Sequence, residues 1–223
     1  MNKQSAHYGV RIMRSETLAL YRPLRAEIQR HLRIAPEHAE RADWMAVAEI
    51  LDIVQDGEVV ADGSTLEMLT DAVLFVLRAS GDRVIDRYVA GLVDRRERAF
   101  VRRMAKATFS VWRIVGSHPQ GGVWVDDALG FRKRKHLMDE ALEKSAAAGT
   151  LVAMRVFDAG PFLAGFGIVI PVSGLATTLL RAICRAGRPP DLDIVIYGHA
   201  IHGLSIEETL LRGLGPDRSA AVE

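Results

Sequence analysis

Between Phe109 and Val172 the hydrophobic pattern of the chain changes period, and that change limits what it can fold into. Five segments rich in β-branched and aromatic residues follow at close spacing, separated by turn signals. Phe109 to Val115 is the first. Ser117-His118-Pro119-Gln120-Gly121-Gly122 turns the chain into Val123 to Val125, and Asp126 to Gly130 turns it again into Arg132 to Met138. A polar stretch to Ser145 offers one helical turn, and Thr150 to Phe157 and Phe162 to Val172 then meander around Asp158-Ala159-Gly160-Pro161. Short strands this close argue for a small barrel or a strongly curled sheet. The expectation is a five-stranded antiparallel β-barrel, SH3-like or OB-like, over 107–172.

What precedes it repeats at helical spacing. Leu18, Tyr21, Leu24, Ile28 and Leu32 make one face of a helix over 15–33, and residues 1–14 read as a loose arm. Pro36 suits a first helical position, opening a second helix to Val54. Ser64-Thr65-Leu66-Glu67 has the form of a capping box for a third helix to Ser80. That helix is apolar on most sides and should be the most buried. Asp82 opens a fourth, running unbroken to Lys106 and linking the helical unit, 15–106, to the barrel.

After the barrel, 173–214 reads as an αβα segment. Ser173 to Ala186 is a helix and Leu192 to Tyr197 a strand; Ser205, with Glu208 at the capping-box position, opens a last helix. The whole is therefore α+β.

Ala159 to Leu180 carries no charge and is long enough to span a bilayer. Pro161, Pro171 and four glycines punctuate it, however, which suits a strand followed by a helix and speaks against a membrane partner. The single cysteine, Cys184, excludes an internal disulfide and any cysteine-based zinc cage, so a reducing cytoplasm is the expected setting.

Some of these residues also form a recognisable pattern: Trp112-Arg113-Ile114-Val115, then Gly122-Val123-Trp124-Val125-Asp126-Asp127-Ala128-Leu129, the run around Ser145, and the strand from Gly149 to Phe157 with Arg155. The stretch 109–172 resembles small β-barrel modules in uncharacterised bacterial proteins, some of which carry a SEC-C zinc motif further on. The likeness covers about a quarter of the chain and implies a fold rather than a reaction. The SEC-C cysteines are missing, so no zinc role comes with it.

Charge is distributed unevenly. From Asp82 to His136 there are 13 Lys or Arg against 6 Asp or Glu; before it the count is 9 against 12, and after it 7 against 10. The excess comes from the end of the fourth helix, with Arg102 and Arg103, and from Arg132-Lys133-Arg134-Lys135 in the barrel. On one face these side chains would bind anions, and Trp112 and Trp124 would offer bases a stacking platform. The bland alternative is a solvated charged surface around a barrel core that contains the tryptophans.

Other candidates are thinner. His199 and His202, three apart with Glu207 and Glu208 nearby, are of metal-ligand type, but Gly198 and Gly203 bracket them as a loop. Asp126-Asp127 and Asp139-Glu140 are paired acids of the kind that form turns, and Cys184 is a candidate nucleophile with no base beside it in sequence. Gly165-Phe166-Gly167 lacks the third glycine of a dinucleotide fingerprint, and neither a P-loop nor a nucleophile elbow is present.

These readings favour a non-enzymatic binding or adaptor protein without a cofactor, its surface on the barrel and the adjacent basic helix end, its partner a protein or nucleic acid. Two alternatives remain: a metal-dependent hydrolase built on His199 and His202, and a structural subunit that self-associates through 162–180.

Overall fold

The computed structural model describes residues 3–77, 81–130, 133–187 and 191–212, with side chains from residue 14 onward. Helix α1, Lys3–Ile34, is longer than its apolar stripe predicts and takes in the expected arm. Nothing upstream of Ser15 stops a helix; Gly9 alone costs only about 1 kcal/mol. Pro23 is tolerated because it and Ala19, whose carbonyl it leaves without a helical partner, are both exposed.

The expected second helix divides into a 3₁₀ turn, Ala35–His38, and α2, Arg41–Ile50. Glu40 and Asp43 form the capping box that starts α2, the Glu40 N–H donating to Asp43 at 2.7 Å. Two-residue strands β1, Val54–Gln55, and β2, Glu58–Val59, follow as a minimal hairpin. Asp56 and Gly57 both take positive φ, as the tight turn between them requires. Helix α3, Gly63–Phe75, starts one residue before the expected cap, with Asp62 rather than Ser64 at its N-cap. Every residue from Met68 to Phe75 except Thr70 is buried, as expected of the central helix.

The long fourth helix does not exist as one element. It is broken into α4, Val84–Gly91, and α5, Arg95–Met104. The break is made by Asp94, whose carboxylate accepts from the N–H groups of Arg96 and Glu97, both at 2.8 Å. A cap inside an apolar repeat is easily overlooked, yet Asp94 with Glu97 three residues on is a helix-start signature.

The five long strands fall where the period changes: β3 Thr108–Ser117, β4 Val123–Asp127, β5 Lys135–Met138, β6 Leu151–Asp158 and β7 Leu163–Pro171. Helix α6, Glu140–Ser145, lies between β5 and β6. The strands close in the order β3-β4-β5-β7-β6, with β6 pairing back to β3. The sheet is mixed rather than antiparallel, because β5 and β7 pair in parallel at Leu137–Leu163 and Met138–Ala164. A parallel pair needs a crossover, which α6 and β6 supply. Gly122 is required where the β3–β4 turn meets β5: a Cβ there would lie 2.3 Å from the Leu137 carbonyl oxygen.

Trp112, Ile114, Val125, Leu137 and Met154 fill the barrel, with Leu142 of α6 among them. A second, larger cluster joins the helices to the outside of β3, β6 and β7; it takes in Leu69 and Phe75 of α3 with Val111, Phe157 and Phe166. Helix α7, Gly174–Arg185, capped by Ser173, and helix α9, Ile206–Leu211, with the Ser205–Glu208 capping box, are as expected. Between them, Leu192–His202 is helix α8, not a strand. It is buried from Ile194 to Gly198, and a helix buried on all sides shows no 3.6-residue period to separate it from a buried strand. Ala159 to Leu180 divides between β7 and α7, and no helix among the described residues is long and apolar enough to cross a membrane.

Candidate binding face of the barrel

Alternation along β4 sends Val123 and Val125 into the barrel and leaves Trp124 on its outer surface, half-buried. Its cross-strand partner on β5 is His136. The β3–β4 turn folds back through Gly121 and Gly122 and lays His118 on both. The two imidazoles stack with centroids 3.5 Å apart and planes 7° from parallel, and His118 meets the Trp124 ring edge-on at 4.2 Å. Phe162, from the β6–β7 turn, stands edge-on to His136 at 5.9 Å.

Hydrogen bonds set the tautomers of both histidines. His136 Nε2 donates to the Gly121 carbonyl at 2.7 Å, and His118 Nδ1 accepts from the Gln120 N–H at 3.1 Å. Burial, then the neighbouring His136, lowers the His118 pKa to about 4; burial also lowers that of His136. At neutral pH both rings are uncharged, and the face is an aromatic surface without net charge of its own.

The expected site residues separate. Trp112 is not part of any surface: it is fully buried inside the barrel and its Nε1 donates to the Met154 carbonyl at 3.3 Å. The neighbouring Val111 is equally buried, so β3 has no exposed face here and alternation could not assign Trp112 a side. Lys133 and Arg134, on the β4–β5 connection, and Lys135, which opens β5 opposite Val125, are exposed. Arg134 is engaged by Asp126 in a bidentate pair, 3.0 Å on each arm. Arg132 lies outside the described residues. On α5, Arg102 is exposed, whereas Arg103 donates to the Asp158 carbonyl at 2.8 Å and stacks on Phe157. Asp158 pairs with Leu163 and Leu163 with Leu137, so Arg103 and Lys135 are separated by two strand spacings of the barrel wall.

His199 and His202 lie on helix α8 rather than in a loop, and both are spent on carbonyls. His199 Nδ1 donates to Leu204, and His202 Nε2 donates to Leu51 at 2.7 Å. Among the described residues the grouping with metal-ligand geometry is instead Glu27, His31 and Glu97, which sequence reading missed. A cation already occupies it: the Arg30 guanidinium donates to Glu27 at 2.7 Å and to Glu97 at 2.6 Å. The paired acids are structural. Asp127 accepts from Ser110 and from the Leu129 N–H, Asp139 caps α6, and Glu140 pairs with Arg22. Cys184 is buried, and that burial pushes its thiol pKa up.

A second polar assembly, also unforeseen, lies where α3, β6 and α8 meet. Arg155 is 5% exposed. It donates to Asp71 at 2.7 and 3.2 Å and to Asp193 at 2.8 Å, with its guanidinium 4.0 Å above the Phe75 ring. The Tyr197 hydroxyl donates to Asp71 at 2.6 Å. Burial opposes the charge on Arg155, but the two carboxylates outweigh it; burial and Asp71 hold the Tyr197 phenol far above its usual pKa. The sequence signal was a lone arginine in the apolar run Leu151 to Phe157.

A family model matches residues 15–173, from α1 through β7, and the chain belongs to that family, described as a Family of unknown function (DUF7986). No curated protein matches the chain, and no solved structure does.

Proposed function

We propose that the protein is a non-enzymatic binding protein whose barrel is of the OB type and whose β4–β5 face takes single-stranded nucleic acid. Counting barrel strands from β3, the order is 1-2-3-5-4 and back to 1, with strands 3 and 5 parallel and a helix between strands 3 and 4. That connectivity favours the OB type over an SH3-like barrel. OB barrels bind oligonucleotides on strands 2 and 3, framed by the loops that join strands 1–2 and 4–5. Here those positions carry Trp124 and His136, His118, and Phe162.

The observation that carries the reading is Trp124. It is a half-buried tryptophan on the outer face, edged by a neutral histidine, on a strand whose neighbour opens with the exposed Lys135. Stacking of one base on such a ring contributes about 1–3 kcal/mol, and the exposed Lys133 and Lys135 at the barrel rim supply phosphate contacts. Arg102 and Arg103 at the far edge extend the positive field rather than the stacking surface. The lone, buried Cys184 suits a cytoplasmic setting.

Fluorescence anisotropy with a labelled single-stranded 12-mer and its duplex, at two salt concentrations, tests the proposal. Single-strand binding that weakens steeply with salt is expected. Absence of binding to either probe at low salt would remove the nucleic-acid reading and leave a protein partner for the same face.

A further inference from the structure

Away from the barrel's aromatic face, α1, α3 and β7 enclose an open groove of about 580 Å³. That volume is in the range of small-ligand sites. Its charges are sorted by wall. Helix α1 contributes Arg25 and Arg33, helix α3 contributes Glu67 and Asp71, and Leu66 and Ile168 supply accessible apolar lining. Eight residues of helix, about 12 Å, separate the two arginines along their wall.

Three features mark this groove as a ligand site rather than a surface fold. First, Arg33 and Glu67 face the same space, both exposed, yet among the described residues neither has an ion-pair partner. Opposite charges left unjoined across a groove suit a ligand that carries both charges. Second, Asp71 gives Oδ2 to Tyr197 and both its oxygens to Arg155, and its Oδ1 also looks toward Gly167 at the groove floor. A Cβ at Gly167 would come within 3.3 Å of that oxygen, so glycine keeps the approach clear. Third, Gly167 and Ile168 have no strand partner on either side. The β6–β7 register jumps from Phe166 to Val169 opposite Arg155 and Met154, and β5 pairs with β7 only at Leu163 and Ala164. Gly167 and Ile168 are thus the bulge of β7, set outside the β6–β7 register.

We propose that this groove binds a short zwitterionic peptide, two or three residues long, with apolar side chains. Its ammonium group faces Glu67 on the α3 wall, its carboxylate faces Arg33, its side chains cover Leu66 and Ile168, and its main chain runs along Gly167 and Ile168 as an added β-segment does. The site is independent of the β4–β5 face, so the two readings fail separately.

Isothermal titration of the full chain with the tripeptide alanyl-leucyl-alanine tests it, alongside the N-acetylated and the C-amidated forms. The free peptide binds, and either block weakens binding at least tenfold. Arg33→Glu and Glu67→Lys each abolish it, while both variants, changed only at exposed positions, melt as the parent does. Absence of heat at millimolar free peptide overturns the proposal. So does equal binding of the blocked peptides, or undiminished binding by either variant.

Discussion

The junction of α3, β6 and α8 and the outer face of β4–β5 use the same bidentate arginine–carboxylate chemistry to different ends. At the junction, Arg155 and Asp71 are both about 6% exposed in their side chains, Nε and Nη2 of the guanidinium donate to carboxylates, and its plane lies over the Phe75 ring. On the barrel face, Arg134 and Asp126 make an equally regular pair with 55% and 36% of their side chains in water. The first charge cannot lose its partners without leaving ions buried; the second loses nothing that water does not replace. What the barrel face holds out of water instead is aromatic and neutral: His118, His136 and the inner edge of Trp124. Buried charge ties elements together in this protein, and the proposed binding face is an uncharged aromatic patch.

The contrast breaks most visibly at Arg155. Arg155→Met strands Asp71 and Asp193, and removing one partner of a buried pair costs about 3–5 kcal/mol. For a chain of this size that lowers Tm by roughly 6–20 °C, read by thermal denaturation. A loss of only a degree or two would mean that the junction is wetter than its burial indicates. Next comes Trp124→Ala, expected to weaken single-strand binding by about 10- to 100-fold through loss of stacking while leaving the melting curve close to that of the parent.

Acid sharpens the comparison further. The His118 pKa is about 4 in the folded chain and near 6.5 when unfolded, so between those values the unfolded state takes up the proton. The stabilisation is complete above about pH 6.5 and is lost as pH falls toward 4; His136 shifts in the same direction. The urea midpoint should therefore drop from pH 7.5 to pH 5, and His118→Phe, which keeps a ring in the stack, should shrink the drop. An unchanged drop would assign it to other groups. The smallest effect belongs to Arg134→Ala, which should leave Tm where it is.

The barrel strands, the central helix and the Ser205 cap were legible because each rests on local chemistry: alternation, an apolar run, a serine three residues before a glutamate. The barrel's closing pair was not. Its parallel sense depends on how β7 returns past β6, which no single segment encodes. Helix α8 failed for a different reason, since Ile194-Val195-Ile196-Tyr197 is apolar on every side and satisfies a strand as well as a helix. At the candidate site, Trp124 and the lysines could be read, but Trp112 could not be placed inside or outside because β3 is buried on both faces. His118 and His136 were passed over because a turn histidine and a strand histidine 18 residues apart meet only when β4 pairs with β5. The Arg155–Asp71 pair spans 84 residues of sequence and has no local signature beyond a charge in an apolar run.

The most direct test of the binding face is tryptophan fluorescence during titration with an unlabelled single-stranded oligonucleotide, in the parent and in Trp124→Phe. The chain has three tryptophans, and Trp112 is sealed in the barrel. Saturable quenching in the parent that disappears in Trp124→Phe is the predicted result. Quenching that survives the substitution, or a parent signal that never changes, would contradict the assignment of nucleic-acid binding to the β4–β5 face.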